Sequence, residues 1–189
     1  MIEAFSSIAT AFGLSASAGL NAYLPLLIVA LTARYTDLIR LNEPWGILSN
    51  GWVIATLVLL LLIEMTVDKI PAVDSLNDLI QTIGRPVAGA ILFAAGSGAV
   101  GDLHPVLAII AGLILAGGVH AVKSTARPVV TATTGGLGNW VVSIIEDILS
   151  LIGAVLAILM PILVILSLLV ILLFILWRRG RRRADASAA

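Results

Sequence analysis

The sequence predicts an all-α membrane protein, a polytopic bundle of transmembrane helices with five or six spans, six being preferred. Three observations carry this. The chain of 189 residues is 60% apolar and only 12% charged, with mean hydropathy +1.12, whereas a soluble domain is roughly a quarter charged. Apolar runs recur near the ~20-residue length that spans a bilayer. The 17 Gly and 7 Pro fall largely within or beside those runs, as transmembrane helices tolerate. Length allows about six or seven spans at most, in a single domain over residues 1–177. Residues 178–189 form an Arg-rich tail, expected to be cytoplasmic and disordered. There is no Cys, which excludes disulfides and thiol ligands. No basic stretch precedes the first apolar run, so it reads as a retained span.

Residues 5–33 form the first span, with small residues Ser15 to Gly19 for close helix contact and Pro25 as a kink. Asn21 lies near its midplane, either in an interhelical hydrogen bond or lining a pathway. Arg34 to Asn50 is a polar connection, and Trp45 and Trp52 suit a membrane interface. Gly51 to Val67 is the second span. It is purely aliphatic until Glu64, and Asp68 follows at i+4 on the same face.

Ile70, Val73, Leu76, Ile80 and Ile83 then recur at spacings of three and four. The pattern predicts an amphipathic helix over about 70–84 lying in the interface, with Asp74 and Asp78 on its wet face. Pro86 to Val100 is a short third span, rich in glycine. His104 falls among turn formers as a solvated loop residue. The fourth span, Val106 to Val122, acquires His120, Lys123 and Arg127 at i, i+3 and i+7, hence on one face. Pro128 is expected to break the helix and open a Gly/Thr-rich segment over about 128–139. Residues 129–150 either cross irregularly or enter and leave on one side. The last span runs from Leu151 to Trp177 with a kink at Pro161.

The terminal cluster Arg178, Arg179, Arg181, Arg182 and Arg183 places the C-terminus inside and predicts binding to anionic lipid. Six crossings then put Lys69, Arg85, Lys123 and Arg127 inside as well, with Arg34 and Arg40 outside. If spans two to four alternate, Glu64, Asp68, Arg85, His120, Lys123 and Arg127 gather on one side at similar depth. Two readings follow. In one, the ion pairs only orient helices. In the other, a one-sided polar cavity holds an anionic or zwitterionic group or relays protons. A metal set of His120, Glu64 and Asp68 is a weak pattern. No metal or cofactor is expected, nor any nucleic-acid partner. Membrane lipids and self-association are the partner expectations. Arg85-Pro86-Val87 and Arg127-Pro128-Val129 hint at an internal repeat, though the order of their neighbouring acids does not fit a simple duplication.

The stretches GLNAYLPLL, DKIPAVDSLNDLIQTIGRPVAGA and GGVHAVKSTARPVVTATTGG resemble an uncharacterised bacterial membrane family, domain of unknown function 4126, over about residues 10–150. The DKIP…RPVAGA block is the most specific part. The resemblance implies a polytopic membrane protein and supplies no activity, substrate or catalytic residue. From the residues themselves, a small permease or channel is the leading expectation, its cargo a small anion, a zwitterion, a lipid headgroup or a proton-coupled solute. A structural or assembly protein is the alternative. An enzyme ranks last, since HExxH, GxSxG and Asp-rich metal motifs are absent from the sequence.

Overall fold

A computed structural model describes residues 2–41, 43–67, 71–97, 103–135 and 137–161, with 163, 169–172, 174 and 178 beyond them. The described chain is helical: α1 Ile2–Ala18, α2 Tyr23–Tyr35, a 3-10 turn Trp45–Ser49, α3 Gly51–Val67, α4 Pro71–Gly96, α5 Pro105–Thr134 and α6 Leu137–Leu159. Among the described residues, three segments are long and apolar enough to cross a membrane: Leu79–Gly96, Pro105–Thr134 and Gly138–Leu159. Two shorter apolar helices, Tyr23–Tyr35 and Gly51–Val67, accompany them.

The first expected span is a helical hairpin instead. Helix α1 ends at Ala18 and the chain unwinds through Gly19–Ala22 before α2 begins. Neighbouring registers give α1 its direction. Thr10 Oγ1 donates to Ala157 O and Ser150 Oγ to Ser17 O, so α1 and α6 are antiparallel. Ser15 Oγ donates to Gly112 O, and Gly19 lies against Ala116 and Val119, so α1 and α5 run in parallel. Helix α2 then returns to where α1 began. Leu38, Ile39 and Arg40, just past its end, lie beside Ser6, Ser7 and Thr10 of α1 and Ile158 of α6. Pro25 therefore sits in the first turn of α2, where its missing N–H costs nothing, and not at a mid-helix kink.

Two other expected breaks are absent. Helix α4 runs unbroken through Gly84 and Pro86, and α5 runs through Pro128. Each proline deletes one helical hydrogen bond, and packed neighbours and side-chain hydroxyls make this tolerable in an apolar bundle. Helix α5 stops only at Gly135, whose φ of 63° is left-handed and whose N–H bonds Thr131 O. The boundary expected at residue 150 does not exist, because α6 continues to Leu159, just ahead of Pro161. The hydroxyl of Thr134 accepts from Gly138 N and steadies the start of α6. His104 is exposed as expected and caps α5, its Nδ1 accepting from Val106 N.

The helices are inside out. On α4, Gln81 and Arg85 are buried while Leu79, Ile80 and Ile83 are exposed. Over residues 79–84, the part of the expected interfacial helix whose side chains are described, the apolar side therefore faces outward and Gln81 faces the bundle. Helix α6 does the same, burying Asn139, Ser143, Glu146, Asp147 and Ser150 and exposing Ile145, Ile148 and Ile152. This suits a lipid surround, which solvates apolar side chains and leaves polar ones needing protein partners.

The hairpin is the core element. Leu14, Ala18, Ala22, Leu26 and Val29 cluster with Leu57 of α3, Leu92 of α4, Ala116 of α5 and Ala154 of α6. Backbones touch where α4 and α5 cross: a Cβ on Gly112 would meet Gly89 O and Ala90 N, the latter at 2.8 Å. Gly112→Ala is expected to destabilise the fold by about 1–3 kcal/mol through overpacking, read as a lower unfolding midpoint in detergent. Gly118→Ala meets nothing within 4 Å and should leave that midpoint unchanged or raise it slightly.

Candidate functional site

Helix α5 carries the site on one stripe. Its buried residues are Ala108, Gly112, Ala116, His120, Lys123 and Arg127, spaced by three or four and therefore on one face. The first three are small and let α1 and α4 approach. The last three are long and basic, and they fill the space below the hairpin tip. The stripe changes character midway along the helix, where α1 unwinds.

Two linked clusters meet there. In the first, Arg85 is fully buried and Glu64 is 2% exposed. Arg85 Nη2 donates to Glu64 Oε1 at 3.2 Å, and its Nη1 lies 2.9 Å from His120 Nδ1. A guanidinium has no acceptor, so Nδ1 must accept. The other ring nitrogen, Nε2, lies 3.2 Å from the Thr82 hydroxyl. Glu64 reaches this point because it shares a face with Leu57, seven residues earlier, the pair that α3 buries.

In the second cluster, Glu146 Oε2 accepts from both Lys123 Nζ at 2.9 Å and Arg127 Nη2 at 3.1 Å. Lys123 also donates to Leu20 O at 3.1 Å, placing a cation at the carbonyl end of α1, where the helix dipole favours it. Asn21 Nδ2 donates to Asp147 Oδ1 at 2.9 Å, while its Oδ1 accepts from Tyr23 N and Leu24 N and so caps α2. Arg85 lies close enough to Lys123 to couple with it electrostatically, so the clusters form one layer. Glu64, Glu146 and Asp147 balance Arg85, Lys123 and Arg127.

The structure thus brings together Glu64, Arg85, His120, Lys123, Arg127 and Asn21, all expected from sequence. Asp68 and Lys69 lie outside the described residues, as do the side chains of Asp74 and Asp78. Of the tail arginines, Arg178 lies over the Phe174 ring at 6.0 Å, and Arg179, Arg181, Arg182 and Arg183 lie outside the described residues. Sequence reasoning set Glu146 and Asp147 at the edge of an apolar face and missed them as site residues. Their signal was available: they share α6's polar stripe with Asn139, Ser143 and Ser150. Gln81 was also missed. It is 2% exposed, and its Oε1 has no hydrogen-bond partner among the described residues. Among the described residues no group of three or more His, Asp or Glu is arranged to hold a metal ion.

Glu146→Gln removes the counter-charge shared by Lys123 and Arg127. Breaking a buried pair costs about 3–5 kcal/mol, so the variant should unfold at markedly lower temperature in detergent. Glu43→Gln, an exposed loop change, should not.

Neither a curated protein nor a solved structure matches the chain. A family model described as Domain of unknown function (DUF4126) matches residues 8–181. The match takes in the hairpin, all of α3 to α6 and the apolar stretch after α6, well past the region in which the sequence resemblance is most evident. The chain belongs to this family of unknown function, DUF4126.

Proposed function

We propose that this chain is a small membrane permease for an anionic or zwitterionic solute, with proton coupling at His120. The observation that carries the reading is the contact of unwound backbone, Gly19–Ala22, with the charged layer through Lys123 and Asp147. Non-helical backbone inside a membrane is tolerated where protein buries it or where it lines a cavity. Discontinuous helices whose ends meet ionisable side chains are how secondary transporters build substrate sites. His120 adds a chemical trigger. A proton on Nδ1 would set an N–H against the Arg85 guanidinium, so protonation must displace Arg85 or draw Glu64 across.

In this reading α3, α4, α5 and α6 cross alternately, and the α1–α2 hairpin dips in from one face and returns to it. Counting 1.5 Å per helical residue from that face, Glu64, Arg85, His120, Glu146 and Asp147 stem from backbone ~16–22 Å deep, near the centre of a ~30 Å hydrocarbon core, and Lys123 and Arg127 from backbone ~27–33 Å deep, towards the opposite face. The apolar stretch 161–177 supplies a fifth crossing and brings the Arg tail to the face of Lys69. Arg34 and Arg40 stay on the hairpin's face, which the positive-inside rule makes external. The five crossings differ from the six preferred on sequence because the hairpin turns back.

The flux test uses proteoliposomes with an imposed pH gradient and a panel of small anions and zwitterions. Wild type should accumulate at least one solute, and His120→Ala should uncouple uptake from pH. Lys123→Ala should reduce uptake at least tenfold while the protein remains folded. A second reading, that the charges only orient helices, is favoured by their mutual neutralisation. It predicts no flux for wild type and unfolding for every charge variant. Topology is testable independently, since the chain has no Cys. Cysteines replacing Asp37 and His104 should label from outside, and one replacing Gly135 only after permeabilisation. Labelling of Asp37 and Gly135 positions from one face would exclude the alternation.

A further inference from the structure

At the end of the bundle where α1 starts and α2 finishes lies a cavity of about 240 Å³, remote from the charged layer. Its lining is apolar at Leu38, Ile39, Ala95 and Ile158 and polar at Ser6, Ser7 and Arg40. The hydroxyl of Thr10, also at the cavity, is committed to Ala157 O. Among the described residues, Arg40 has no ion pair and the hydroxyls of Ser6 and Ser7 have no hydrogen-bond partner. Glu3 and Asp37, the nearest acids in sequence, do not line it.

We infer that this cavity binds an oxyanion, a phosphate group held by the Arg40 guanidinium and the two serine hydroxyls. A guanidinium fork matches phosphate geometry, and hydroxyls donate to the remaining oxygens. The volume is below the ~300–1,000 Å³ of sites for drug-sized ligands. The occupant is therefore a small anion or the head of a longer molecule whose tail leaves the cavity. Exposed Phe5, Leu38 and Leu159 stand at or next to the lining residues and offer such a tail an apolar exit. The site does not depend on transport, so its test does not read flux.

The experiment uses the delipidated full-length protein in detergent, with two probes. Inorganic phosphate is titrated by calorimetry, and phosphatidylglycerol binding is measured by native mass spectrometry. Binding is expected in at least one arm, weakened at least tenfold by Arg40→Gln and several-fold by the Ser6→Ala/Ser7→Ala pair. Binding of phosphate identifies a soluble ligand, whereas binding of the lipid alone identifies a headgroup. Both proteins carry the same Arg tail, so the difference between them isolates the cavity. Arg40 is an exposed loop residue, and an unchanged unfolding midpoint without probe confirms that Arg40→Gln folds. No binding of either probe, or equal binding by wild type and Arg40→Gln, would overturn the assignment. Loss in Arg40→Gln with none in the serine pair would also overturn it, since that pattern is surface charge attraction.

Discussion

Among the described residues, acidic and basic side chains from four helices meet in the interior of this bundle, and their pairing is the constraint to which everything else conforms. A lone carboxylate or ammonium in a low-dielectric interior costs several kcal/mol even after relaxation. That cost vanishes only when opposite charges are brought to hydrogen-bond distance from different helices. Glu64 on α3 needs Arg85 on α4, and Glu146 on α6 needs Lys123 and Arg127 on α5. Each pair ties together two helices that are neighbours in the chain, and Lys123 and Asn21 extend the ties to the hairpin tip. Relative helix rotation is thereby fixed, because any large turn would strand a charge.

Packing divides the bundle into two halves around this layer. On the side of the hairpin, Gly89, Gly112, Ala116 and Ser15 allow backbones to touch. There the dispersion contacts of close-packed helices hold the structure, as expected where lipid supplies no hydrophobic drive between helices. On the other side, the basic side chains of α5 reach the Glu146 carboxylate of α6. The unwound tip lies where the small residues of the α5 stripe give way to the basic ones.

Much of this was legible in the sequence, within definite limits. The spacing of His120, Lys123 and Arg127 fixed their common face, and alternation of helix direction brought Glu64 and Arg85 to them. What misled was local grammar learned from water-soluble helices. Pro86 and Pro128 are strong helix breakers in water, but within a packed apolar bundle they cost one hydrogen bond each and the helices continue. Over residues 79–84 the apolar face of the expected interfacial helix is turned away from the bundle. A 3.6-residue pattern states which residues share a face but not whether lipid or protein lies opposite. The hairpin was invisible for a related reason. Residues 5–33 contain enough apolar length for one span, and only the return of Leu38, Ile39 and Arg40 to the start of α1 reveals that the chain turns back. Glu146 and Asp147 are neighbours in sequence, yet they serve different partners, one facing the cations of α5 and the other the hairpin tip.

The distance along the chain between Asn21 and Asp147 bears on biogenesis. Ribosomal synthesis delivers α1 and α2 first, while the groups that satisfy their polar tip arrive last, on α5 and α6. Within the hairpin, the N–H groups of Gly19, Leu20 and Asn21 bond back to α1, and Asn21 Oδ1 accepts from Tyr23 N and Leu24 N. The Leu20 carbonyl and the Asn21 amide take partners that lie 103 and 126 residues further along the chain. A chain truncated before residue 147 would lack the Asp147 partner of Asn21, so that contact forms only once α6 exists.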